Sequence, residues 1–490
     1  MLLSLSGVIL SNTERMFCIV HAGTGFRRLR GWRPPCGLFS GFFLVCERKG
    51  ESCGMAEEPD LRYLCIDLKS FYASVECVER GLDPMKADLV VADPTRGQGT
   101  ICLAVSHHLK QKGVRNRCRV FEIPKNCRYI MAPPRMALYI RYAADIYGIS
   151  LRYIAKEDIH VYSVDEAFFD IASYRELYHM NAFEIGAMIR DDIRRTTGIP
   201  AVCGIGTNLY LAKVALDILA KHSPDQMAAL DEASYIRRLG DHRPLTDFWM
   251  VGSRTARRLA SCGILTMRDV AASGRRRMTD LFGINGSYLF DHALGIEPVT
   301  IAEIKAYQAR SHSLSSHQVL LRDYSFREGE VIVREMTDQL CLELTGQSLV
   351  TDHAALFVGF SDDGQMPPVR KSAPLPAQTS SVRLISRLLV RLYLENVPET
   401  AVIRRIGITL EHVTDAGNCQ LSLFSDEEIA KKDEAAQRAV LRLRESYGRS
   451  IICKGMDLLD AGTTRERLSQ IGGHRAGNAD SAVLDPGGDS

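Results

Sequence analysis

The chain has 490 residues, yet no apolar run in it approaches the length needed to span a bilayer. It has no C-x-x-C pair and no Cys/His cluster at zinc-ligand spacing. Its 14 cysteines are scattered singly, which argues against a disulfide scaffold and fits a reducing, cytoplasmic setting. An excess of either charge is missing too. The formal net charge is only +2, so any nucleic-acid footprint must come from local clustering. Met1 to Leu10 lack the basic n-region of a secretory signal. What is present, 46% hydrophobic and 24% charged residues, is the composition of a globular protein. At this length about three or four domains are expected.

Residues 1–60 differ from the rest. They carry Arg27, Arg28, Arg30 and Arg33 and short apolar patches without helical or strand periodicity. They read as an unassigned extension, either disordered or the product of an upstream start with Met55 as the true one. From Leu61 the character changes. Tyr63 to Ile66 is a buried-strand pattern ending in Asp67, and Ser70 is placed to cap a helix from Phe71.

Val161 to Asp170 is a β-leaning apolar run with two adjacent carboxylates, Asp165 and Glu166, at its centre. Neighbours on a strand point to opposite faces, so the two can share a ligand only at a strand end, bend or bulge. Burying such charge is costly unless a cation or hydrogen bonds compensate it. The stretch is therefore either a metal site or a plain turn between hairpin strands. Asp67, at a strand end, is the third acid.

Cations cluster elsewhere. Val105 to Val114 reads as a short helix ended by Gly113, with His107 and Lys110 on one face. Ala201 to Gly206 reads as a strand leading into an apolar helix that carries Lys213, a candidate phosphate contact. Leu245 to Ala272 looks like a helix-hairpin-helix unit around Gly252 and Gly263. Residues 254–277 hold seven arginines, Arg254, Arg257 and Arg258 among them, against one acid, Asp269. Backbone phosphates are their natural partner. A β/α/β/β/α/β-like module follows over about 311–415, with Arg383, Arg387 and Arg391 on one helix face as a second basic surface. In it, a Gly/Pro-rich turn is expected between the strand ending at Phe360 and the helix from Ser381. Gln420 to Phe424, with Leu421, Leu423 and Phe424 apolar, suggests a partner's pocket, and the tail after about Ala461 reads as flexible.

Assembled, these residues resemble the Y-family translesion DNA polymerases, nearest to the UmuC-like bacterial branch. The likeness covers roughly 61–425. It rests on Asp67 with Phe71, Tyr72 and Ala73, on Ser163 to Ala167, on Asn208 with Leu211 to Lys213, and on the hairpin. It implies an α+β, right-hand polymerase with a ferredoxin-like palm (61–72 and 136–225), small fingers (73–135), a helix-hairpin-helix thumb (226–300) and a little finger (308–415). A clamp-binding segment and tail (416–490) would follow. The implied activity is low-fidelity, template-directed addition of dNTPs to a primer 3′ end opposite damaged template. By resemblance Asp67, Asp165 and Glu166, with the Leu68 carbonyl, hold two Mg²⁺ ions. Phe71, Tyr72, His107, Lys110 and Lys213 meet the nucleotide, with Tyr72 as steric gate against ribose. The partners implied are primer–template DNA, contacted by the hairpin around Gly252 and the arginine faces, and a sliding clamp at Gln420, Leu421, Leu423 and Phe424; no membrane is involved and the polymerase is a monomer. Three positions depart from the family: Lys69 replaces a common second Asp, His107 a common Tyr and Lys110 a common Arg.

Overall fold

A computed structural model describes residues 60–309, 312–361, 366–418 and 427–477. The expectations for residues 1–59 and for Gln420, Leu421, Leu423 and Phe424 lie outside the described residues. Strand β1, Tyr63–Leu68, buries five of its six residues, the pattern of a strand covered on both faces. It is followed by β2 (Leu89–Val91), β3 (Ala104–Val105), β4 (Ile130–Ala132), β5 (Ile159–Val161), β6 (Glu166–Asp170), β7 (Ala201–Gly206) and β8 (Met227–Leu230). A five-stranded sheet has the order β5-β6-β1-β7-β8, with β1 antiparallel to both β6 and β7.

The helix Ala182–Thr197 covers this sheet. Asn181 caps it by accepting from the Glu184 amide at 3.0 Å, while the Glu184 carboxylate accepts from the Asn181 amide at 2.8 Å. Ile185, Ile189 and Ile193, four residues apart, are fully or almost fully buried. Gly198, at φ 73°, ends the helix. On β7, the two glycines have a packing reason. A Cβ on Gly204 would lie 2.2 Å from the Ala212 carbonyl, and one on Gly206 would lie 2.3 Å from the Ala212 amide. Only hydrogen at these positions lets the helix Leu209–Val214 rest directly on the strand. A π-helical turn, Ala215–Leu219, continues it.

Two further pieces belong to the same compact unit, which comprises the described residues of Met1–Ala132 and Tyr139–Ala306. One is a three-stranded sheet, β3-β2-β4, with the helix His107–Gln111 and its own core of Val90, Val105, Leu109, Val114 and Ile123. The other is a helical array: Ser253–Ala260, Met267–Ser273, Arg275–Phe282 and Ile284–Ala293. Gly263, at φ 77°, makes the turn between the first two.

The second unit, Pro133–Leu138 with the described residues of Tyr307–Ser490, contains β9 (His312–Tyr324), β10 (Leu349–Phe360), β11 (Val369–Thr379) and β12 (Ile403–Asp415) in the order β11-β10-β12-β9. The helices Phe326–Gly346 and Val382–Asn396 complete a β/α/β/β/α/β chain order. Their Ile332, Met336, Leu340, Ile385 and Leu389 pack with Leu356, Val358, Ile406 and Ile408 of the sheet. Part of the stretch expected to be only a Gly/Pro-rich turn is strand β11. Its Pro374 and Pro376 are tolerated because it lies at the sheet edge.

The tail also departs from expectation. Beyond Ala461 the described residues form a helix, Thr464–Leu468, and a hairpin pairing Gln470–Ile471 with His474–Arg475. Composition missed the anchors, which are long-range and polar. The buried Glu335 carboxylate accepts from the Thr463 amide at 2.8 Å and the Thr464 amide at 3.3 Å. Arg467 donates to Gln318 at 3.0 Å. No helix among the described residues is long and apolar enough to cross a membrane.

Candidate active site

In the β1–β6 ladder, Asp67 stands directly opposite Glu166. Residues opposed in an antiparallel pair project from the same face, so these two carboxylates meet at one end of the sheet. Asp165 occupies the bend just before β6. Its carbonyl accepts from the Leu68 amide at 2.8 Å, which ties the bend to β1. The amides of Tyr162 and Ser163 both donate to the Glu166 carbonyl at 3.0 Å, closing the β5–β6 hairpin. The Ser163 hydroxyl donates to Asp165 Oδ1 at 2.7 Å. Turn and carboxylate cluster are thus one feature: the hairpin turn is what brings Asp165 beside the strand-borne pair.

These acids are costly to bury. Glu166 is 9% and Asp67 15% exposed at the side chain. Burial pushes both carboxyls above their ordinary values, even though Lys213 and Lys221 pull them back. Lys213 Nζ lies 2.8 Å from Glu166 and 3.0 Å from Asp217. Lys221 Nζ lies 2.8 Å from both Asp67 and Asp217. Burial lowers the two lysines, but the carboxylates outweigh it, so both are raised and stay charged. The Cys65 thiol donates to Glu166 at 3.2 Å.

More cations face the same end of the sheet. Lys110 is lowered by burial, with Lys221 and Lys69 adding to that and Asp67 and Asp165 opposing it. Burial also lowers Lys69 and His107; Lys221 adds to the first, and Lys69 and Lys110 to the second. His107 Nε2 lies 3.1 Å from the Gln111 amide nitrogen. Tyr72 stacks on Tyr139 at 4.5 Å between centroids and 16° between planes. Its phenol is pushed up to about 12, by burial first and then by the charge of Asp165. Phe71 beside it is buried.

Lys213, chosen from sequence as a phosphate contact, has its ammonium engaged by two carboxylates. Lys221 was passed over in the sequence, although Lys213, Asp217 and Lys221 recur every fourth residue in alternating charge, the spacing of an ion ladder on one helical face.

The arginines divide. Arg254, Arg257 and Arg258 are exposed around the helix that Gly252 caps. Arg268 and Arg275 instead pair with Asp241 and Asp291, acids outside the 254–277 window, so the local excess is smaller than it reads. In the second unit Arg383 pairs at 2.9 Å with buried Asp433. Arg387 and Arg391 line an open cleft of about 740 Å³ with Val390, Leu394 and Lys454. They lie on the helix-covered side of the sheet. Its opposite face presents Phe357, with Arg370 at 4.7 Å and Arg405 at 6.0 Å from the ring centre.

The chain matches the impB/mucB/samB family over residues 66–217 and that family's C-terminal domain over 311–423. It is 31% identical over 422 residues to a putative UV-damage repair protein, UvrX, of Bacillus subtilis (strain 168), covering 85% of this chain and 98% of the relative. It is 29% identical over 414 residues to DNA polymerase IV 2 of the same organism, covering 84% and 97%. Among solved structures, a Y-family DNA polymerase chimera superposes with a TM-score of 0.56 at 19% identity, over 72% of this chain and 99% of that one, which shares the α+β polymerase fold. With the paired match, the near-complete coverage of its relatives and this fold, the chain belongs to the impB/mucB/samB family, a UmuC-like branch of the Y-family polymerases.

Proposed function

We propose that this protein is a translesion DNA polymerase that adds dNTPs to a primer 3′ end opposite damaged template. The observation that carries the reading is the meeting of Asp67, Asp165 and Glu166 at one sheet end, ringed by Lys69, Lys110 and Lys221. The five-stranded sheet serves as palm (61–72 and 136–225), the small sheet as fingers (73–135), the helical array as thumb (226–300) and the second unit's sheet as little finger (308–415).

The donor set suits hard divalent cations, since Asp67, Asp165, Glu166 and the Leu68 carbonyl offer only oxygen. The Lys221 ammonium, 2.8 Å from Asp67, already stands in for a cation there. We assign two Mg²⁺ ions to these ligands; when bound, such ions neutralise triphosphate charge and activate the primer hydroxyl. The chain's own residues do the rest. Lys110, Lys69 and Lys221 grip the phosphates, and Lys221 exchanges Asp67 for a phosphate oxygen. His107 borders that cradle. Lys213 holds Glu166 in place. The Tyr72 ring, pinned against Tyr139, fills the space a ribose 2′-hydroxyl needs. Arg254, Arg257 and Arg258, with Arg370 and Arg405 on the open sheet face, meet DNA phosphates independently of sequence. Arg387 and Arg391 are a secondary basic surface, and Arg383 serves mainly to hold Asp433.

Asp165→Ala with Glu166→Ala is expected to abolish Mg²⁺-dependent primer extension while primer–template affinity, read by fluorescence anisotropy, survives; residual extension refutes the assigned centre. The two palm lysines should separate. Lys221→Ala should raise KM for dNTP about tenfold, the loss of one charge-assisted hydrogen bond to phosphate, and should cost less stability than Lys213→Ala because the Lys221 side chain is 35% exposed against 8% for Lys213. Lys213→Ala, which strands a buried carboxylate, should lower unfolding free energy by about 3 kcal/mol in denaturant melts. Equal KM effects from both would reject this division. Tyr72→Ala should let ribonucleotides be incorporated, and unchanged sugar selectivity in single-nucleotide assays removes the gate. Deleting Gln420 to Phe424 should abolish stimulation by a bacterial sliding clamp and spare basal synthesis; stimulation that persists would rule out this segment as the clamp contact.

A further inference from the structure

Strands β10 and β12 lose regular register side by side. β10 shifts between Thr351 and His353 against β11, and β12 shifts between Leu410 and Val413 against β9. In an unbroken strand Asp352 and His353 would point to opposite faces, as would Glu411 and His412. A bulge allows neighbours to share a side and re-aims them. His412 takes the left-handed conformation, φ 52°, which a non-glycine residue holds only when its surroundings impose it. The fully buried Thr351 lies beside it. Its hydroxyl donates to the Glu411 carbonyl at 2.5 Å or the His353 carbonyl at 3.0 Å, stitching the two bulges together.

The outcome is a cluster of nitrogen and oxygen donors. Ligand atoms of Asp352, His353 and His412 all lie within 4.8 Å of one another. His412 Nδ1 is 2.9 Å from Asp352 Oδ1, and Glu411 Oε2 is 4.0 Å from His353 Nε2. An exposed His–Asp pair contributes too little to hold a strained backbone. We propose that Asp352, His353 and His412, with Glu411 or water completing the shell, bind a divalent transition-metal ion of the zinc class. Two imidazoles with carboxylate suit such an ion, whereas the all-oxygen set at Asp67, Asp165 and Glu166 suits Mg²⁺. Bound there, the ion would staple β10 to β12.

The test uses the full chain in excess Mg²⁺, so that the carboxylate centre is filled, titrated with Co²⁺ and then with Zn²⁺. One equivalent of Co²⁺ should bind with visible d–d absorption and no thiolate charge-transfer band, and Zn²⁺ should displace it. His353→Ala and His412→Gly should each weaken Co²⁺ binding tenfold or more. His412→Gly should also raise the metal-free melting temperature, because glycine accepts this conformation without strain, and should abolish the further rise that Zn²⁺ gives the unaltered protein. A thiolate band, binding by either variant as tight as that of the unaltered chain, or no stoichiometric binding by the unaltered chain would each overturn the proposal.

Discussion

The structure depends on one cross-strand pairing, the register that sets Asp67 opposite Glu166. Sliding β6 by one residue against β1 would send Glu166 to the other face and strand its charge among apolar side chains. Register is fixed from both sides. The hairpin Ile159 to Asp170 closes on the Glu166 carbonyl, and the Asp165 carbonyl is held by the Leu68 amide. With the acids so placed, burial becomes the problem, and the helix after β7 answers it by delivering Lys213 and Lys221. That delivery relies on the bare backbone of Gly204 and Gly206, which sets the helix against the sheet.

How much was legible follows from the range of the interactions. Asp67, Asp165 and Glu166 stood out because carboxylates inside apolar β-patterned runs conflict with burial, a purely local signal. The same reasoning set a turn against a site, where the hairpin turn and the carboxylate cluster are a single feature. Lys221 was hidden because its partner, Asp67, is 154 positions away, and its alternating relation to Asp217 and Lys213 passes for a solvated helix face. Strand β11 was disguised by Pro374 and Pro376, whose edge position no periodicity announces. The ordered tail was missed for a related reason. Its anchor is a buried Glu335, 128 residues before Thr463, and composition carries no record of such partners.

The two units solve different problems with similar materials. The first concentrates opposite charges at a sheet end, where fixed geometry and exclusion of water strengthen each contact. The second spreads arginines over exposed surfaces, where each contributes little to stability. The open face of its sheet mixes Arg370 and Arg405 with the flat ring of Phe357 and the hydrogen of Gly407. A side chain at Gly407 would collide with the His317 ring 2.2 Å away.

The Lys213–Asp217–Lys221 ladder leaves the ligand-free centre nearly self-neutralised. A stray cation gains little there, because it must first evict an ammonium that has nowhere better to go. On the proposed function, a nucleoside triphosphate would change that balance by offering Lys221 a new counter-charge as its own cation arrives. On that reading, loading would thereby be a swap among three parties rather than a simple capture.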